Sequence, residues 1–219
     1  MNGAEVTAAI EEVRARIARA AAACSRDPDG VHLVAVTKTV EPERVLAAVR
    51  AGVGDLGENR AQELLVKAEA LAARGVTPRW HFIGRLQRNK VRALAPHVAL
   101  WQSIDRPDLA AEVGLRAPGA AVLVQVNVDD EPQKGGCPVG EVTDLVGRCR
   151  DEGLDVRGLM AVPALGRDPK TAFRTVRSLV DRLGLPVCSI GMSGDFETAI
   201  AEGSTMVRVG SALFGQRPP

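Results

Sequence analysis

The feature that most constrains this chain is an alternation. Eight short apolar runs recur along it, each followed by a stretch of helical periodicity or a helix-like end. The runs fall at residues 31–37, within 52–57, at 80–84, 98–104, 121–128, 156–162, 187–191 and 205–209. Between them lie helical stretches beginning at Pro42, at 61–73, from about Arg88, and at 107–116, 139–152, 170–183 and 196–202. One further amphipathic helix, 4–23, precedes the first run, with Val6, Ile10, Val13, Ile17 and Ala20 on one stripe. Strands that alternate with helices form a parallel sheet covered on both faces. Eight such units in 219 residues fit a closed barrel. The expected fold is α/β, a single (β/α)8 TIM barrel with an extra N-terminal helix, as one domain over residues 1–219. The alternative is a Rossmann-like open sheet. That fold wants G-x-G-x-x-G after its first strand, and here the first run ends in Thr37-Lys38-Thr39.

Composition excludes several function classes. A net charge of +1 supplies no field for nucleic acid or an anionic membrane. No apolar stretch reaches transmembrane length. The first ten residues carry Glu5 and lack a basic start followed by an apolar run, so no secretory signal is expected. Cys24, Cys137, Cys149 and Cys188 form no C-x-x-C clip and have no histidine at metal-ligand spacing, so no metal is expected. Unpaired thiols suit a reducing compartment, and the expected location is cytoplasmic.

In a barrel the chemistry sits at the C-terminal ends of the strands. Lys38 follows the first apolar run directly. It is either a solvated loop lysine or a partly desolvated amine able to form a Schiff base with an aldehyde. The glycines of 191–195 and Gly210-Ser211 follow the last two runs, where many barrels bind phosphate through backbone N–H groups. Ser193 and Ser211 each add a hydroxyl. The competing reading makes Ser193 and Asp195 caps of the helix near Phe196. Arg208 lies inside an apolar strand, and alternation puts it on the same side as Met206 and Gly210. Buried there it must find an acceptor, either a carboxylate of a neighbouring strand or an unprotonated ring nitrogen. Asn59 is a ligand hydrogen-bonder or a helix cap. His81 reads as a satisfied core histidine, Arg88 and Lys90 as a solvated face, and Phe82, Leu86 and Leu94 as core.

Taken together, the motifs resemble a known family. A-V-T-K-T at 35–39, G-E-N-R-A-Q-E at 57–63, H-F-I-G-R-L-Q-R-N-K at 81–90 and Q-V-N-V at 125–128 occur in order. Lys134 and Gly136 follow, then G-L-M-A-V-P at 158–163, G-M-S-G-D-F-E-T-A-I at 191–200 and G-S-T-M-V-R-V-G-S-A-L-F-G at 203–215. The set resembles the pyridoxal phosphate homeostasis proteins, relatives of the alanine racemase and ornithine decarboxylase barrels, over nearly the whole chain. The resemblance implies that Lys38 holds the aldehyde of pyridoxal 5′-phosphate. It implies that Ser193, Gly210 and Ser211 form the phosphate cup, that Arg208 faces the pyridine nitrogen and that Asn59 lines the cofactor. Arg85 and Ser211 stand where the family often has proline and threonine. Ser211 keeps a hydroxyl and an N–H, so the phosphate site is expected to survive, whereas Arg85 departs from the family pattern near the rim of the pocket.

The resemblance implies a cofactor-binding protein that serves pyridoxal phosphate homeostasis and delivery to apo-enzymes, with no catalytic residue assigned and a monomeric state expected. An arginine at the ring nitrogen disfavours its protonation and so weakens the ring as an electron sink. The alternative is a pyridoxal-phosphate-dependent racemase or decarboxylase. Racemases of this type place a tyrosine from a second domain opposite the lysine, and this sequence has no tyrosine. A phosphosugar-type barrel enzyme without cofactor is a third reading. It needs a pair of pocket carboxylates or an acid–base histidine, and Glu58, Asp195 and His81 are the available groups.

Overall fold

The computed structural model describes residues 1–131, 134–164, 166 and 168–216. It opens with helix α1 (Gly3–Ala23). Asn2 and Glu5 form a reciprocal capping box at its start, Asn2 Oδ1 accepting from the Glu5 N–H at 3.0 Å and Glu5 Oε2 from the Asn2 N–H at 2.7 Å. The buried stripe of α1 is Val6, Ile10, Val13, Ile17 and Ala21.

The chain then alternates through β1 (His32–Val36), α2 (Pro42–Arg50), β2 (Asp55–Glu58), α3 (Ala61–Ala72), β3 (Arg79–Phe82) and α4 (Arg88–Leu94). It continues through β4 (Val98–Ile104), α5 (Pro107–Arg116), β5 (Ala121–Asn127), a two-residue strand β6 (Cys137–Pro138) and α6 (Val142–Asp151). The last units are β7 (Asp155–Ala161), α7 (Lys170–Arg182), β8 (Val187–Ser189), α8 (Phe196–Ala201), β9 (Met206–Val209) and α9 (Ser211–Phe214). Proline opens α2 and α5 at the position where its missing N–H costs nothing.

All strand pairings are parallel, in the order β4-β3-β2-β1-β9-β8-β7-β5, and β4 also pairs with β5. The sheet therefore closes, and the architecture is the (β/α)8 barrel that the alternation implies. Two details depart from the sequence reading. The stretch 139–152 starts with a 3-10 turn at Val139–Glu141 before α6. The strand β6, which extends β5 through Val126 and Asn127, had no periodic signal.

The outer ring explains the extra helix. The helices after β8 and β9 span only six and four residues, too short to cover their strands. The 21-residue α1 packs against α2, α8 and α9 and covers that stretch of wall. Burying a large aliphatic side chain contributes about 1.5–3 kcal/mol, so its stripe is a substantial part of the seal.

Two cores result. The larger one lies between the barrel and its helices. The smaller one fills the barrel interior with Val34, Leu100, Leu123, Met160 and Met206. Alternation along β9 puts Met206 and Arg208 inside and Val207 and Val209 outside, as the sequence pattern requires. Among the described residues no helix is long and apolar enough to cross a membrane.

Candidate functional site

A cavity of about 470 Å³ opens at the C-terminal ends of the strands. Lys38, Asn59, Ser193, Arg208, Gly210 and Ser211 all line it, although they come from four different strand ends. Arg44 of α2 and Gly84 after β3 complete parts of the wall; neither was singled out from sequence. Arg85 is exposed and is not among the lining residues.

Lys38 follows β1 and is half-buried. The residues on both sides of it are fastened to α3. The Thr37 carbonyl accepts from Lys67 Nζ at 2.6 Å, and the Thr37 hydroxyl donates to Glu58 Oε1 at 2.6 Å. Thr39 has φ 63°, a left-handed conformation disfavoured for a β-branched residue. Its N–H donates to Glu63 Oε2 at 2.8 Å. Lys67 also donates to Glu58 Oε1 at 2.6 Å, and both side chains are buried. Burial pushes the Glu58 carboxyl up, against the hydrogen bonds from Lys67 and Thr37 that pull it down. Lys67 was not singled out from sequence, yet a signal existed. It lies three residues after Leu64 and four before Leu71, on the buried stripe of α3.

Asn59 does not cap α3. The cap position is Arg60, without a side-chain cap bond. Among the described residues the buried Asn59 Oδ1 atom has no hydrogen-bond partner, and it belongs to a residue of the cavity wall. Gly84 is required beside it, because a Cβ there would lie 2.1 Å from the Asn59 carbonyl oxygen.

On the opposite wall, the capping reading of Ser193 and Asp195 is not what the structure shows. Asp195 occupies the cap position of α8, but its carboxylate accepts from the Met192 N–H at 2.6 Å. Ser193 Oγ instead reaches across to the last loop and accepts from the N–H groups of Gly210 at 3.1 Å and Ala212 at 3.3 Å. Its hydroxyl proton remains to be donated. Gly191 sits at φ 93°, where a Cβ would come within 2.5 Å of Ala199 Cβ.

Arg208 is 3% exposed. Of its two sequence-level readings, the ion pair with a neighbouring strand is absent among the described residues. Nη1 donates to the Ser189 carbonyl at 2.7 Å and the Ser189 hydroxyl at 2.6 Å, and Nη2 donates to the Ala161 carbonyl at 2.8 Å. A guanidinium has five N–H donors, so these three bonds leave capacity for the cavity. Burial lowers its pKa to about 10, with Asp195 opposing, and it stays charged at neutral pH. His81 is the satisfied core histidine expected, bonded on both ring nitrogens. Burial pushes the thiols of Cys137, Cys149 and Cys188 up to about 12, which removes them as nucleophiles.

The wall thus offers a lysine amine at one end, a hydroxyl with backbone N–H groups at another, and a buried cation in the floor. The size falls within the range of small-molecule sites, about 300–1,000 Å³. Residues 9–218 match the family model of the alanine racemase N-terminal domain. The pyridoxal phosphate homeostasis protein of Pseudomonas aeruginosa is 42% identical over 218 residues, covering 95% of this chain and 94% of that protein. The chain belongs to the pyridoxal phosphate homeostasis protein family. The Escherichia coli member is 37% identical, covering 95% of each chain. Among solved structures, PipY of Synechococcus elongatus with pyridoxal phosphate bound superimposes with a TM-score of 0.83 at 28% identity, covering 96% of this chain and all of that one.

The cavity wall fits a phosphorylated pyridine aldehyde on its own chemistry. Among the described residues the Asn59 Oδ1 lacks a partner, the Ser193 hydroxyl proton is not used by the two bonds its oxygen accepts, and Arg208 retains unused donors.

Proposed function

We propose that this protein binds pyridoxal 5′-phosphate in the 470 Å³ cavity, holds it as a Schiff base on Lys38, and serves cytoplasmic homeostasis of the cofactor by delivering it to apo-enzymes. The observation that carries the reading is convergence. Six residues named from motifs scattered over 174 positions, 38 to 211, line one cavity. Membership of the family and the cofactor-bound relative support it.

Bound there, the cofactor supplies an electrophilic aldehyde carbon and a pyridine ring able to withdraw electrons. The chain's own residues do the rest. Lys38 provides the amine, in a loop pinned on both sides by Lys67 and Glu63. Ser193 would donate its hydroxyl proton to the phosphate, with the Ser211 N–H beside it, while the Gly210 and Ala212 N–H groups hold the Ser193 oxygen in place. Asn59 Oδ1 accepts from a ring substituent. Arg208 donates to the ring nitrogen and, being cationic, opposes protonation of that nitrogen. That disfavours carbanion chemistry and supports a carrier over a racemase or decarboxylase. The absence of tyrosine from the sequence supports the same choice.

The test has two arms. The loaded protein should absorb in the violet, and borohydride reduction followed by peptide mapping should put the label on the Lys38 peptide. A label on Lys90 or Lys134 overturns the Lys38 assignment. Given separately to an apo pyridoxal-phosphate enzyme and to a panel of amino acids, the loaded protein should activate the enzyme and turn over no amino acid efficiently. Multiple turnover abolished by Lys38→Ala would make it an enzyme instead.

A further inference from the structure

Arg208 is the near end of a hydrogen-bonded chain that crosses the barrel interior. Its Nη1 donates to Ser189 Oγ at 2.6 Å. Ser189 Oγ donates to Gln102 Oε1 at 2.7 Å. Gln102 Nε2 contacts His81 Nδ1 at 2.8 Å, and His81 Nε2 contacts Asp55 Oδ1 at 3.0 Å. Arg79 closes the far end with Nε and Nη2 on Asp55 at 2.7 and 2.6 Å. Five strands contribute: β9, β8, β4, β3 and β2. Ser189, Gln102 and His81 are all buried.

The direction of every link follows from its ends. A guanidinium only donates and a carboxylate only accepts. Ser189 Oγ accepts a hydrogen bond from Arg208, so its own hydroxyl donates to Gln102 Oε1. The Gln102 amide nitrogen then faces His81 Nδ1. It also donates to Met206 Sδ at 3.3 Å, a contact that the amide oxygen, an acceptor only, has no proton to make. His81 therefore accepts at Nδ1 and carries its proton on Nε2, directed at Asp55. None of these residues touches the cavity except Arg208.

We infer that Ser189, Gln102 and His81 are positioning residues for Arg208: they fix its guanidinium as a donor toward the ring nitrogen of the bound ligand and tie it, through neutral links, to Asp55 of β2. The inference rests on the reading of the cavity as a pyridoxal phosphate site. The arrangement solves a specific problem. A carboxylate placed directly on Arg208 would occupy its donors and cancel its charge at the ring. A relay of neutral groups stabilises the buried cation and leaves donors facing the cavity.

The test starts with cofactor-free protein labelled with 15N. The sequence has three histidines, His32, His81 and His97, so the His81 ring signals are assigned with one variant of each of the others. His81 should show an unprotonated Nδ1 and a protonated Nε2 at neutral pH, and the Arg208 Nη protons should be resolved by restricted rotation. A doubly protonated His81, the opposite tautomer, or a freely rotating Arg208 guanidinium overturns the inference without any variant having to fold. The second stage uses protein loaded with ring-15N pyridoxal phosphate. Ser189→Ala and Gln102→Leu should move the ring-nitrogen resonance toward that of a pyridine without a donor and weaken cofactor retention about tenfold, the loss of one hydrogen bond involving a charged group. Ser189→Thr, which keeps the hydroxyl, should restore the resonance. An unmoved resonance in both breaking variants overturns the inference. Failure of the wild-type protein to take up the cofactor would instead sink the cofactor reading, while the His81 and Arg208 measurements still decide whether the relay exists.

Discussion

Lys67 and Arg208 are both nearly cut off from water, with 5% and 3% of their surface exposed, yet the chain handles the two charges differently. Lys67 lies outside the barrel wall, between β2 and α3, and meets the Glu58 carboxylate at 2.6 Å with Glu63 at 3.5 Å. Its charge is cancelled on the spot. Arg208 lies inside the wall and bonds to two carbonyls and a hydroxyl, its nearest relay carboxylate being four links away at Asp55. A cation whose work is to hold a loop can be neutralised by its partner. Arg208, which on the proposed reading faces a ligand, keeps its field and its spare donors: its bonds go to dipoles, and the Asp195 carboxylate that favours its charge makes no hydrogen bond to it among the described residues.

The sharpest way to break this contrast is Lys67→Met. It leaves the Glu58 carboxylate buried with only Thr37 for a partner, and removing one member of a buried pair costs about 3–5 kcal/mol. Urea unfolding followed by circular dichroism should show a loss of that order. Adding Glu58→Gln should recover part of it, because the charge is gone with its partner. The pair also predicts a functional trace. Thr37 and Thr39 flank Lys38, so Lys67→Met should slow cofactor uptake even where the protein remains folded. A loss below about 1 kcal/mol, the range of exposed pairs, would show that Lys67 reaches water.

Asp55→Asn probes the other assembly and should cost less. Burial alone would raise the Asp55 carboxyl, but the hydrogen bonds from His81 and Arg79 outweigh it and hold it well below the usual carboxylate range. A carboxyl depressed in the folded state contributes stability above its unfolded value, about 3.9, and loses it as pH falls below that. The expected loss at pH 7 is about 1.5–3 kcal/mol, one or two hydrogen bonds to a charged group. The difference between wild type and variant should shrink as pH is taken from 5 toward 2, because the wild type then loses the same contribution. A difference that stays constant over that interval would mean that Asp55 stabilises as a shape and not as a charge.

How much of this was legible in the sequence follows from the range of the interactions. The barrel was legible because each strand and helix carries its own period, and the closing contact of β4 with β5 needs no signal beyond eight parallel strands. Lys38, Ser193 and Arg208 were legible because strand ends and glycine-rich turns mark the mouth of a barrel. Lys67 was hidden by a local decoy: it stands four residues after Glu63, the spacing of a solvated helical pair, while its principal partner, Glu58, lies across a turn at the end of β2. Gln102 and Ser189 were hidden for the opposite reason. They are short polar interruptions of apolar strands, Gln102 beside Ser103 in β4 and Ser189 at the end of β8, 87 positions apart, and only the closed barrel brings them together. Ser193, Gly210 and Ser211 line the cavity as the motifs suggested, but their bonding differs from the expected one. Sequence suggested that the Gly210 N–H is directed at a ligand, whereas Ser193 Oγ already accepts it.

That last detail sets the mildest prediction, Ser193→Ala. Ser193 Oγ accepts from Gly210 and Ala212, and the change removes both contacts. The cost to folding should still be within about 0.5 kcal/mol. Ser193 is only half-buried, and it and Gly210 line an open cavity, so water is at hand to replace the hydroxyl. The effect on the ligand is larger than the effect on the fold, since the hydroxyl would donate a charge-assisted hydrogen bond to phosphate, and its loss should weaken retention of the cofactor about tenfold. Retention of pyridoxal, which lacks the phosphate, should not change. Equal weakening of both ligands would place Ser193 in loop support, and unchanged affinity for the phosphorylated form would remove it from the phosphate wall.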